Sequence, residues 1–192
     1  MPRASAAPAI LKAAHDCLID GGGTFEMRDV TDRAGVSEGL VYHYFKSKSG
    51  LVQTIVNGFY ARYSDVANAA TQAEEPWLDR EERRLRAVVD FLYDEPLSPI
   101  MLGGMGRLPE VAQAERANRA DIAERSIRNV RSGQRQGVIP AHIDPTLAGP
   151  ASIGALDQAV MHALGQSPAP DRRHVADELW RIIRSIMDIE TG

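Results

Sequence analysis

Residues 28–45 read RDVTDRAGVSEGLVYHYF, and their order decides the fold of the first part of the chain. Two short helical segments, 27–34 and 38–45, flank a break of three residues. Gly35 supplies a residue that tolerates positive φ. Val36 is the apolar residue that tucks beneath the turn, and Ser37 can accept from the free amides that open the next helix. Two helices joined this way form a helix-turn-helix, in which the second helix is offered to the major groove and the first crosses the backbone. On the second helix Val41 and Phe45 stand one turn apart and face inward. Glu38, Gly39, Tyr42 and His43 then face outward. Gly39 allows close approach, and Tyr and His can hydrogen-bond to phosphates or base edges.

Helical periodicity continues on both sides, and strand signals are nearly absent. Upstream, 9–20 carries Ile10, Ala13, Ala14, Cys17 and Leu18 on one face and stops at three glycines. Downstream, the spacing predicts helices over 48–70, 80–93, 100–105, 109–136 and 145–164, and a last one after Asp171. The chain is expected to be all-α, with about nine helices. A three-helix head (1–50), whose helix-turn-helix is expected to bind DNA, precedes a larger helical body (51–192).

The chain has 192 residues and a net charge of −4. The first 60 residues balance six bases against six acids, so the acidic excess lies wholly in the remainder. A neutral head on an acidic body approaches DNA head first, with modest non-specific affinity. The single cysteine, Cys17, excludes an internal disulfide framework and reads as a small buried residue. No apolar run reaches the length of a membrane span, and no secretion signal is expected, which suits a cytoplasmic protein.

The stretch from Ile10 to about Ile55 resembles the tetracycline-repressor (TetR) family of bacterial regulators. The likeness rests on Ile10-Leu-Lys-Ala-Ala14, Arg28-Asp-Val, Arg33-Ala-Gly-Val-Ser37, Val41-Tyr-His-Tyr-Phe45, Lys48 and Leu51. It implies a homodimer, a palindromic double-stranded operator, and a divergent C-terminal domain that takes a small-molecule inducer. Carried over by position, Arg28 lies near the groove or a phosphate, and Glu38, Gly39, Tyr42 and His43 are recognition contacts. Lys48 is the phosphate contact at the start of the fourth helix. Tyr44 is expected to support at the backbone, and Ser37 joins the DNA-facing set. Arg28 has a second reading, an ion pair with Asp32 four residues on. The sequence departs from the family pattern at Glu26, Thr31 and Glu38. The Thr31 hydroxyl can bond to a carbonyl, and Glu38 can accept from cytosine N4.

In the body, the last helix carries an apolar stripe through Val175, Leu179, Ile182, Ile183 and Ile186. The preceding helix contributes Leu156 and Val160. By the resemblance these form the dimer interface; the stripe also reads as intrachain core alone. Candidate ligand contacts are Phe59, Tyr63, Phe91, Met101, Met105, Met161 and His162, which suit a largely apolar effector. Each also reads as plain core. Arginines at 116, 119, 125, 128, 131 and 135 read as a solvated helix face paired with nearby acids. The glycine-rich stretch 99–109 is a candidate gate, from which movement would pass through the fourth helix to the recognition helix. No metal-ligand spacing, nucleotide loop or nucleophile elbow is present, so no catalytic role, metal or cofactor is expected. The remaining alternative is a dimeric helical interaction module that has lost DNA or ligand binding.

Overall fold

The computed structural model describes residues 6–69, 75–103 and 109–189. Nine helices lie within these residues: α1 (Ala7–Asp20), α2 (Met27–Ala34), α3 (Glu38–Phe45), α4 (Lys48–Ala69), α5 (Trp77–Asp94), α6 (Ser98–Leu102), α7 (Pro109–Arg135), α8 (Pro145–Leu164) and α9 (Arg172–Ile186). The helix starts follow local chemistry. Asp144 accepts from the Thr146 amide at 2.8 Å, and Asp171 accepts from the Arg173 and His174 amides. α5 begins three residues before the periodicity predicts. Trp77 opens it after Pro76 and is fully buried, its indole N–H donating to the Asn129 carbonyl of α7 at 3.2 Å.

α1, α2 and α3 pack against one another, and α1 and α3 also meet the first turns of α4. α4 then continues into the body, where it packs on α5 and α7. The boundary expected at residue 50 therefore falls inside a continuous helix. Residues Leu51, Val52, Ile55, Val56, Phe59, Tyr60 and Tyr63 are all buried along it. That is a wider apolar face than a surface helix presents, because α4 is covered from more than one side. The buried apolar residues form one cluster running from Ile10 to Met187. Cys17 is free and buried in it, and burial pushes its thiol up from the ordinary range.

α8 lies against α7 and α9, and α5 also meets α9. Arg172 at the start of α9 holds both carboxylate oxygens of Asp94 at the end of α5, at 2.7 and 2.9 Å. α8 comes very close to α7 at Gly149. A Cβ there would sit 2.8 Å from Ser126 Oγ and 2.9 Å from the Ile127 amide nitrogen of α7. Backbone cannot yield as a flexible side chain can, so the helices would have to part. Gly149→Ala is therefore expected to destabilise the protein by about 1–3 kcal/mol, despite the better helix propensity of alanine, as read from the urea midpoint.

Candidate nucleic-acid interface and ligand cavity

The turn between α2 and α3 is built as its residue types demand. Gly35 is left-handed, with φ 65° and ψ 36°. The Val36 amide donates back to the Thr31 carbonyl at 3.1 Å, and its side chain packs on the core. Ser37 Oγ accepts from the Leu40 amide at 3.4 Å. Thr31 is buried and donates to the Arg28 carbonyl at 2.9 Å, so its hydroxyl is satisfied inside the helix.

On α3, Val41 is fully buried and Phe45 packs on the core, while Glu38, Gly39, Tyr42, His43 and Tyr44 are exposed. Tyr42 is 41% exposed and Tyr44 39%. A Cβ on Gly39 would meet no protein atom within 4 Å. Nothing in the fold requires glycine there, and glycine weakens a helix. The Glu38 carboxylate one turn back hydrogen-bonds the Tyr42 phenol and raises it above its usual range. In the free protein these two outward residues are a pair.

Arg28 is exposed on α2, its Nε 3.6 Å from Asp32 Oδ2, the ion pair that was its second reading. Lys48 is half-buried at the start of α4. Its ammonium donates to the Phe25 carbonyl and lies 5.0 Å from the Phe25 ring centre, so it ties the α1–α2 connection to α4. One residue escaped the sequence reading. Lys46 has φ 67° and ψ −36°, at the centre of a γ-turn closed by the Ser47 amide on the Phe45 carbonyl at 2.8 Å. Its ammonium donates to the His43 carbonyl at 3.0 Å, an exposed cation at the C-terminal end of the recognition helix. The signal available was its position directly after α3.

The body holds a cavity of about 390 Å³ enclosed by α4, α5, α7, α8 and α9. Of the expected ligand contacts only Tyr63 lines it. Phe59 and Tyr63 face a second, smaller cavity of about 50 Å³. Phe91 packs its ring on Phe59 and Tyr63, at 5.5 and 6.2 Å between centres, and Met101 is fully buried core. Met161 is half-buried beside Gly103, and His162 is exposed. Met105 lies outside the described residues. Periodicity shows which side chains point inward; it does not show where packing leaves a gap.

The larger cavity also has a charged end. Glu81 is buried. Its Oε1 accepts from Arg80 Nε at 3.0 Å, and its Oε2 accepts from Arg84 Nη1 at 2.5 Å and Asn129 Nδ2 at 2.6 Å. Sequence reasoning missed this cluster, because α5 was read for its apolar stripe alone.

The arginines of α7 divide. Arg116, Arg125, Arg128, Arg131 and Arg135 are exposed, as expected. Arg119 is not on that face. It donates to Glu115 at 3.2 Å, to Asp157 of α8 at 3.0 Å and to the Met101 carbonyl of α6 at 3.2 Å. Burial raises the Asp157 carboxyl, with Arg119 opposing, and burial pushes the neighbouring Tyr60 phenol up to about 12.

Of the residues expected at a dimer interface, Leu156, Val160, Val175, Leu179 and Ile183 are buried within the chain itself, against α5 and against each other's helices, and keep little exposed area. Ile182 is 45% exposed and Ile186 half-buried. The stripe on α9 serves the chain's own core on one side and the surface on the other.

Residues 10–55 match the family model described as bacterial regulatory proteins, tetR family. That segment, about a quarter of the chain, is similar to the N-terminal region of the tetR family. Over 53 residues it is 36% identical to the HTH-type transcriptional repressor KstR2 of Mycolicibacterium smegmatis, and equally to KstR2 of Mycobacterium tuberculosis. These matches span 26% of this chain and 26% of each relative, about a quarter of the length of the curated relatives. The whole chain superposes on solved structures. With FadR, the fatty acid degradation regulator of Bacillus halodurans, the TM-score is 0.83 at 15% identity, covering 99% of this chain and 100% of that one. With SmeT, repressor of the multidrug efflux pump SmeDEF of Stenotrophomonas maltophilia, it is 0.81 at 18% identity, covering 99% and 93%. A SmeT–triclosan complex gives 0.79 at 18%, covering 98% and 94%. At these identities the likeness is one of fold: an all-helical head and body.

Removing Arg119 leaves Glu115 and Asp157 facing each other's charge with little water. Arg119→Met should lower stability by about 2 kcal/mol near neutral pH. Arg125→Met, which breaks only the surface pair with Asp121 at 2.6 Å, should cost less than about 1 kcal/mol. The Arg119 penalty should shrink as pH falls, because Asp157, whose carboxyl burial already raises, takes up a proton and sheds the cost. Urea midpoints of both variants between pH 7 and 4 check the contrast.

Proposed function

We propose that this protein is a dimeric, sequence-specific DNA-binding transcription regulator, a repressor released by a small molecule that enters the body. One observation carries the reading. A capped, tightly turned α3 exposes Gly39, Tyr42, His43 and Tyr44, and the fold itself has no use for a glycine at 39. Close approach to a duplex supplies the reason. Tyr42, freed from Glu38, donates to a base edge or phosphate, and Arg28, Lys46 and Lys48 stand nearest the backbone. The DNA-bound assignments of Arg28, Ser37, Glu38, Gly39, Tyr42, His43, Tyr44 and Lys48 belong to this proposal.

Selection of bound duplexes from a random pool should return a palindrome with half-sites about one helical turn apart. Gly39→Ala should leave stability equal or higher and weaken the selected site roughly tenfold, measured by fluorescence anisotropy. Wild-type affinity that is flat against salt would sink the reading and favour a protein interaction module.

The dimer face belongs to α8 and α9. Leu147 is 69% exposed and Ile182 45%. The exposed side of α8 also carries the small residues Ala151 and Gly154, so a symmetry mate can come close. Ile182→Glu should convert dimer to monomer in sedimentation equilibrium and reduce operator affinity in parallel; an unchanged dimer would place the interface elsewhere.

Effector release follows α5. This helix supplies Glu81, Arg84, Leu85 and Val88 to the cavity. Directly after it Glu95 reaches His15 of α1 at 3.5 Å and Arg62 of α4 at 2.5 Å. A ligand that favours another position of α5 thereby shifts the head and the spacing of paired heads.

A further inference from the structure

The effector reading leaves open what kind of molecule the body takes, and the inference here rests on that reading. The relevant feature is the charge balance at one end of the 390 Å³ cavity. Arg80, Glu81 and Arg84 are all largely withdrawn from water, with side-chain exposures of 15%, 9% and 27%. Two guanidinium groups meet one carboxylate, a surplus of one positive charge. Both Glu81 oxygens are already occupied by Arg80, Arg84 and Asn129. The carboxylate's charge is already matched by two guanidinium groups, which disfavours a cationic guest.

Arg84 is different. It lines the cavity. Its Nε donates to the Ala67 carbonyl at 3.1 Å and its Nη1 to Glu81, while its Nη2 donates to none of the described residues. The other cavity-lining cations, Arg125 and Arg128, are held by Asp121 and Glu124 on their own helix. Beyond Arg84 the walls turn apolar, through Leu85, Val88, Ile122, Ile153 and Leu156. Tyr63, Ile122 and Ile153 also bound the smaller cavity, so the apolar end can lengthen if they move.

We infer that the cavity binds a small hydrophobic carboxylate, its anionic end on the Arg84 guanidinium and its apolar body between α4, α7 and α8. A partly desolvated surplus cation with unspent donors is stabilised more by an anion than by a neutral acceptor, and is repelled by a cation. The volume falls within the range of small-molecule pockets, about 300–1,000 Å³, at its lower end. A compact ring system or a medium-length chain fits; a large cofactor-linked acyl group does not fit without opening.

The chain supplies its own reporter. It has two tryptophans, and both Trp77 and Trp180 line this cavity. The test is a titration of the full-length protein, without DNA, followed by tryptophan fluorescence and calorimetry. The probes are matched sets on two bodies: the carboxylate, carboxamide and methylamine of adamantane, and decanoate, decanamide and decylamine. The carboxylate of at least one set should bind roughly tenfold more tightly than its amide, with the amine weakest. Arg84→Gln should erase the difference between acid and amide while leaving amide affinity in place. Glu81→Gln, which releases a second share of positive charge, should strengthen acid binding. Equal binding of acid and amide, preference for the amine, or no binding by any probe would each overturn the inference. The wild-type comparison stands even if a variant does not fold. Since no DNA is present, loss of operator binding and loss of acid preference are read separately.

Discussion

One helix, α4, belongs to two cores, and the arrangement of everything else follows from that. Its first turns complete the head against α1 and α3, and its later turns close the body against α5 and α7. Because the burial is continuous from Leu51 to Tyr63, no soft joint separates the two parts. A shift of α4 in the body is a shift of the surface on which α3 is mounted. The second link, Glu95 to His15 and Arg62, runs beside the first. Both links start from helices that wall the cavity.

The polar interior of the body is arranged by the same economy. Glu81 and Arg119 sit where α5 and α7 would otherwise present charge to apolar neighbours, and each is satisfied by at least three partners. Such clusters contribute little net stability when complete and cost much when broken. Their value lies in fixing how helices stand relative to one another. Arg119 joins α6, α7 and α8 at one point, and Glu81 and Asn129 join α5 to α7.

Exposure of large apolar groups is sparing. Among the described residues it is confined to Tyr42 and Tyr44 on α3 and to Leu147 and Ile182 on α8 and α9. Isolated exposed apolar groups are ordinary. Here one pair lies on the helix proposed to face the duplex, and the other on the two helices proposed to face a second copy of the chain. The remaining surface is dominated by short-range ion pairs such as Lys12–Asp16 and Arg33–Asp20.

The amino-acid order alone determined the all-helical class, the helix boundaries to within a few residues and the outward set on α3. Those depend on local matters: periodicity, caps, and a glycine at a left-handed turn. The expected inward side of α3 and the burial of Cys17 were legible for the same reason. Three things were decided only in three dimensions. Which apolar stripe residues were already covered within the chain, leaving Ile182 but not Leu179 exposed, depended on how α9 meets α5 and α8. That Arg119 turns inward while Arg125 does not depended on Asp157 arriving from another helix. The place of the cavity depended on where five helices fail to fill space, since a void has no residue of its own and is defined by its walls.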